Sequence, residues 1–277
     1  MDNILVLMVI SMAVGLLGAL TGLGGASIIV PLLVLAGVPV KEAIASAMVT
    51  IIATSSGSAA SYVRQHLTNV RIAMFLEIFT ISGAIVGATI TTFIKPIFLY
   101  FFFALFLSTA FLRPRHLVKY YEGLQQDRIS RWLKLEGQYY DEATHKTVSY
   151  KVNNALPGGL GMFVAGLAAG MLGIGAGSFK VTVQENLMKI PPKVASTTSN
   201  FIIGMTALAG VSVYLFSGLL NLTLMAPMAI GVTLGSLIGG RILNRINDRY
   251  LRIMFYIVVL YVMIQMLYKG FSLLGSL

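Results

Sequence analysis

In the stretch LGIGAGSFKVTVQENLMKIPPKVASTTSN, Leu172 to Asn200, a lysine, a glutamine, a glutamate and an asparagine (Lys180, Gln184, Glu185 and Asn186) follow a glycine cluster and stand between long apolar runs. The glycine break with Lys180 and Gln184 could hold an anion, whereas Glu185, four residues before Lys189, reads as a partner of that lysine. Glycines open the backbone, the N–H groups of a new helix supply partial positive charge, and the lysine supplies a full one. Other chemistry is excluded by what the chain lacks. It has no cysteine, which removes disulfides, thiolate metal ligands and cysteine nucleophiles. Its histidines, His66, His116 and His145, all fall outside the apolar runs, and there is no HExxH motif or nucleophile elbow. An enzyme is not expected, and no metal or other cofactor is called for.

Composition sets the surroundings of that stretch. The chain has 277 residues, 57% of them hydrophobic and 11% charged, with a mean hydropathy of +0.84; a soluble domain carries about 25% charged residues. This is the composition of an integral membrane protein. The net charge is +10, but the basic residues cluster between apolar runs without interleaved aromatics. They read as topology signals, and nucleic acid is not an expected partner. The start, Met1-Asp2-Asn3, lacks the basic region of a signal peptide, so the first apolar run reads as a retained helix.

Ten apolar segments can be followed along the chain, at 4–20, 26–38, 42–63, 71–93 and 96–112, then at 155–172, 178–189, 194–217, 221–243 and 249–271. In each half, four approach the roughly 20 residues that span a bilayer. The remaining one, about a dozen residues opening after glycine, covers only ~18 Å as a helix. The chain therefore divides into a first membrane repeat, 1–112, a polar insert, 113–153, and a second membrane repeat, 154–277. The insert begins basic and continues as GQYYDEATHKTVSYKV, where Tyr, Val and Thr runs around a polar turn predict a small β-hairpin. It reads as a solvated connector, with a regulatory or partner-binding role as the alternative.

The halves repeat each other. GLGGAS (Gly22 to Ser27) lies on GIGAGS (Gly173 to Ser178), and PVKEA (Pro39 to Ala43) on PPKVA (Pro191 to Ala195). The same register carries Thr54 onto Thr206, Asn69 onto Asn221 and GAIVG (Gly83 to Gly87) onto GSLIG (Gly235 to Gly239). If each half crosses the membrane an odd number of times, the second is flipped. One side then collects Arg64, Arg71, the basic residues of the insert, Lys189, Lys193, Arg241, Arg245, Arg249 and Arg252, and the other only Lys41, Lys95 and Lys269. The positive-inside rule favours this arrangement. The expected fold is an all-α polytopic membrane protein of two inverted-topology repeats, about five segments each, in the cell membrane. The insert would be cytoplasmic and both termini outside. The short segments are expected to be glycine-broken half-helices meeting near the midplane.

A half-helix that starts inside the membrane leaves N–H groups unpaired, which is tolerated only where they line a cavity or meet a ligand. Two such N-termini, at Ala26-Ser27 and Gly177-Ser178, would together form an anion site. Gly24, Gly25, Gly175 and Gly177 form the breaks; for the other paired glycines, helix packing is the reading. Lys180 reads as a substrate ligand, the alternative being snorkelling or a pair with an acid such as Glu185. Gln184 shares its helix face. Thr197, Thr198 and Asn200, in STTSN, either line the pathway or serve as caps and interhelical bonds. Glu77, inside an apolar segment, reads as the partner of a nearby arginine, with a protonatable coupling role as the alternative; Glu185 is the second coupling candidate.

The paired elements GLGGASIIVPLL…GVPVKEAIASAM and GIGAGSFKVTV…KIPPKVASTTSNF, with the later SGLLNLTLMAPMAIGVTLGSLIGGRIL, resemble the TauE/SafE family of sulfite and organosulfonate exporters. The resemblance covers nearly the whole chain outside the insert. It implies a transporter of small sulfur-containing anions such as sulfite, taurine or sulfoacetate, acting in export. Two positions depart from the family pattern: Thr182 stands where similar members commonly have proline, and Ala176 where three consecutive glycines are common. An ion channel and a membrane scaffold acting through the insert are the competing classes, separable from a carrier by saturation and by flux.

Overall fold

A computed structural model of the chain describes residues 4–21, 26–64, 68–108, 126–141, 145–243 and 248–275. The first half contains α1 (Ile4–Thr21), α2 (Ala26–Leu35), α3 (Val40–Arg64), α4 (Val70–Phe93) and α5 (Pro96–Ser108). A short helix, α6 (Arg128–Trp132), and two strands, β1 (Glu136–Asp141) and β2 (Lys146–Lys151), follow. The second half contains α7 (Ala155–Leu172), α8 (Gly177–Asn186), α9 (Pro192–Phe216), α10 (Leu222–Leu243) and α11 (Asp248–Leu274). Each of the ten apolar segments read from the sequence falls on one of these helices. Among the described residues α4, α7 and α9 are long and apolar enough to cross a membrane, and α1, α5, α10 and α11 contain shorter apolar stretches. Large apolar side chains are exposed along α4 (Met74, Ile78, Ile85, Phe93) and on α9 (Leu208, Leu215, Phe216). A lipid-facing surface would leave them so, since lipid tails are as apolar as the side chains.

Glycine sets the closest helix contacts. α4 lies on α7 with backbones touching: a Cβ at Gly83 would collide with the Phe163 carbonyl, and one at Gly166 with the Thr80 carbonyl. Thr91 then bonds across to the Met171 carbonyl at 3.3 Å. α1 and α10 repeat this contact, with Gly231 on Met8 and Gly235 on Met12. In both pairs the residue numbers rise together, so the two helices run parallel. The central pair behaves differently. On α9, Gly204 abuts Ser55 of α3 and Gly210 abuts Met48, so these two helices run antiparallel. α2 packs on α3 and α8 on α9, while α5 packs on α11.

The described part of the insert is docked, not loose. β1 and β2 pair antiparallel, with Glu136 opposite Lys151 and Asp141 opposite Lys146. Tyr139 and Tyr150 turn inward and, with Leu135 and Val152, join a core shared with Ile72 and Leu76 of α4, Met162 of α7 and Val183 of α8. Asp127 caps α6 and also accepts a bond from the Ala155 N–H that opens α7. Burial disfavours the Asp127 charge, but the Ser130 hydroxyl and the backbone N–H groups of Ser130, Ala155 and Asp127 itself outweigh it and hold the carboxyl below its ordinary range.

Asn69 ties the insert to α4. Its side-chain oxygen accepts the Ile72 N–H as an N-cap, while its Nδ2 donates to the Glu136 carbonyl at 3.1 Å and to the Tyr150 hydroxyl at 3.0 Å. Asn69→Ala should lose the cap, worth about 1 kcal/mol, together with both bonds to the hairpin. Asn69→Asp should restore only the cap. Melting of the detergent-purified protein should therefore rank wild type above Asp above Ala.

Candidate anion site

The break before α8 is built from left-handed backbone. α7 ends at Gly173 (φ 66°), whose N–H bonds the Ala169 carbonyl, and Gly175 (φ 69°) and Ala176 (φ 51°) continue in the same region. The glycines take this conformation without a Cβ penalty. A Cβ on Gly173 would also lie 2.7 Å from the Ile44 carbonyl oxygen of α3. Ala176 takes the same conformation with a side chain and packs its methyl near Ala165, Ala169 and Phe179. Ala176→Gly exchanges left-handed strain of about 1–2 kcal/mol for a lost buried methyl and a more flexible chain, terms of similar size. It should be nearly neutral. Ala176→Val adds a β-branched side chain where backbone and packing both oppose it, and should lower stability by about 2–4 kcal/mol. Thermal melting of the two variants beside wild type checks both.

Lys180 stands one turn into α8 and is fully buried, its Nζ donating to Thr206 Oγ1 of α9 at 3.0 Å. Side chains on a helix lean toward its N-terminus, so the lysine reaches back past the first turn of α8, against the middle of α9. Thr206 also bonds the Ile202 carbonyl at 2.7 Å, which fixes its hydroxyl. Ser199 donates to the Gly177 carbonyl at 3.4 Å and pins α9 to the start of α8.

Other buried polar groups of these helices lack partners. Gln184, one turn after Lys180 and fully buried, has neither its amide nitrogen nor its oxygen hydrogen-bonded. Thr198 Oγ1, on the buried side of α9, is also unpartnered, as is Ser46 Oγ at the equivalent position of α3 in the first half. Glu77 of α4 is 8% exposed, with Oε1 unpartnered, and the charge that acts on it is Lys180. The sequence reading favoured an arginine partner for Glu77; no described contact tests it, and Lys180 is a charge that lies near it.

The remaining candidates are spread more widely. Gly24 and Gly25 lie outside the described residues, and Ala26 and Ser27 are placed only as the first backbone turn of α2. Gly177 and Ser178 open α8 half-buried. Thr197 is buried and bonds the Lys193 and Val194 carbonyls of its own helix. Asn200 is half-buried, as is Glu185. Sequence reasoning passed over Thr206 as a ligand-side residue. Its match to Thr54 in the repeat was the available signal, since a threonine recurring in both halves at mid-helix invites a role beyond packing.

A fully buried lysine thus follows a broken helix in an apolar helical bundle. The chain belongs to the sulfite exporter TauE/SafE family of membrane transporters, whose model matches residues 7–266. It is 26% identical to the probable membrane transporter protein YunE of Bacillus subtilis (strain 168), over 97% of this chain and 98% of that protein. No solved structure matches it.

Proposed function

We propose that this chain is a secondary transporter of small sulfur-containing anions, sulfite, taurine or other organosulfonates, exporting them by alternating access around an anion site at the half-helix N-termini. The observation that carries this reading is the buried Lys180 behind the α8 break, beside the unpartnered Gln184 and Thr198. A buried cation and unpaired polar groups in an apolar bundle are costly, and a bound anion offsets that cost. The substrate class rests on the family, and on the relative's description as a transporter.

The inverted repeat is supported by the helix directions. α3 and α9 are counterparts in the two halves yet run antiparallel, which a two-fold axis in the membrane plane produces and one along the membrane normal does not. The contacts α1 on α10 and α4 on α7 exchange under the same operation. In this reading the insert faces the cytoplasm, the termini face outward, and the α2 and α8 N-termini converge near the midplane. Glu77, in the field of Lys180, is the coupling residue: a bound anion disfavours its charge, so it takes up a proton with the anion and releases it when the anion leaves.

The test is flux in proteoliposomes loaded with sulfite or an organosulfonate. A carrier gives saturating efflux with counterflow of labelled substrate. Flux that rises linearly with concentration would make it a channel, and no flux beside retained ligand binding would make it a receptor.

A further inference from the structure

The exposed apolar side chains of α7 begin at Leu156, one residue past the Ala155 N–H that Asp127 accepts, and continue through Leu160 and Val164. On α4 they begin at Val70, one residue past the Asn69 cap, and continue through Met74 and Ile78. Recurring every four residues, each set forms one lipid-facing stripe. The hydrocarbon boundary therefore falls at the first turns of both helices. α6, whose N-cap Asp127 holds the start of α7, lies in the headgroup layer, which is about 5–8 Å deep on each side of a bilayer.

α6 has two unlike faces. Ser130 is fully buried, and Ile129 and Leu133 pack on the core that holds Ile72 and Tyr150. Arg128, Arg131 and Trp132, at i, i+3 and i+4, share the other face and are exposed, Trp132 to 80%. With Ile129 they line one shallow recess. The Asp127 carboxyl is engaged elsewhere, accepting the Ser130 N–H and hydroxyl and the Ala155 N–H. Between α5 and α6 the sequence adds Arg113, Arg115 and Lys119 against Glu122.

We propose that this face of α6 is a site for the headgroup of an anionic phospholipid in the adjoining leaflet. The planar forks of Arg128 and Arg131 suit the phosphate. The Trp132 indole lies where headgroups meet acyl chains, which accommodates both its apolar ring and its N–H. Facing water, the same ring would stay hydrated at a cost that the interface removes. Asn153 and Asn154, which follow β2, bond the Met188 and Leu187 carbonyls beyond α8, so a lipid held here fastens the ends of α4, α7 and α8 to the leaflet. The proposal is independent of the transported solute.

Trp132 is the one tryptophan of the chain, so its fluorescence reports on this face alone. The full chain is reconstituted in nanodiscs of phosphatidylcholine with increasing phosphatidylglycerol. As the anionic lipid rises, wild-type emission should shift to the blue and quenching by acrylamide should fall. Raising the salt concentration should weaken that response, a check that needs no variant. In Arg128→Gln with Arg131→Gln, two exposed changes that leave the buried face of α6 intact, the phosphatidylglycerol fraction required should rise at least about tenfold. Inorganic phosphate added to phosphatidylcholine nanodiscs should not reproduce the shift. Emission indifferent to phosphatidylglycerol, a response untouched by salt, or an equal response in the double variant overturns the proposal. So does a full response to phosphate alone, which would make the recess a soluble-phosphate site.

Discussion

Replacing Lys180 with methionine should weaken binding of a small sulfonate or sulfite by at least about 30-fold and abolish saturable efflux. The lysine is fully buried with one bond to Thr206, so an anion in its place loses a desolvated charge partner, a loss worth about 2–5 kcal/mol. The variant also leaves Glu77 without the charge that acts on it. Breaking a buried pair destabilises, whereas replacing both partners with neutral groups is often tolerated. The control is therefore the double variant Lys180→Met with Glu77→Gln, which should melt no lower than Lys180→Met alone and still fail to bind. Lys180→Arg should not rescue, because a planar guanidinium does not fit where a slender ammonium is enclosed on all sides. Calorimetry and proteoliposome efflux on the same preparations decide the matter. Wild-type affinity in Lys180→Met would falsify the assignment.

The second large effect is expected far from the site. Gly166→Val should cost more than about 3 kcal/mol, in the exceptional range for a single substitution. A Cβ there would overlap backbone of Thr80, and the neighbouring contacts at Gly83, Gly87 and Gly170 are also with backbone, so no rotamer change can relieve it. The helices must separate, which loses the close packing that holds membrane helices together. Gly37→Ala is the contrasting variant. It has a positive φ but open space around the position, so it should lose only left-handed strain of about 1–2 kcal/mol. Comparable melting of the two variants would mean that the α4 and α7 contact yields more easily than its geometry implies.

These expectations draw on different layers of information. The helices were legible from apolar runs and their breaks because those signals are local. Gly175 was legible as part of the break before α8 because a left-handed turn there calls for glycine, whereas Gly177 turned out to open the helix itself, and the Asn69 cap of α4 emerged only in the structure. The paired motifs of the two halves were legible because the same residues recur in a register that shifts by a single inserted residue. Lys180 was singled out because a cation is costly in an apolar run wherever it points.

The tertiary structure alone decided which groups meet. Lys180 is bonded to a threonine 26 positions away, and it lies near Glu77 of a third helix. Gln184 could be placed beside Lys180 from helix spacing, but not shown to lack partners, since that depends on every helix packed around it. The antiparallel course of α3 and α9 is likewise a property of packing. The physical reason is range: helix formation and breaking are set within a few residues, whereas the satisfaction of a buried polar group depends on side chains brought together from distant parts of the chain.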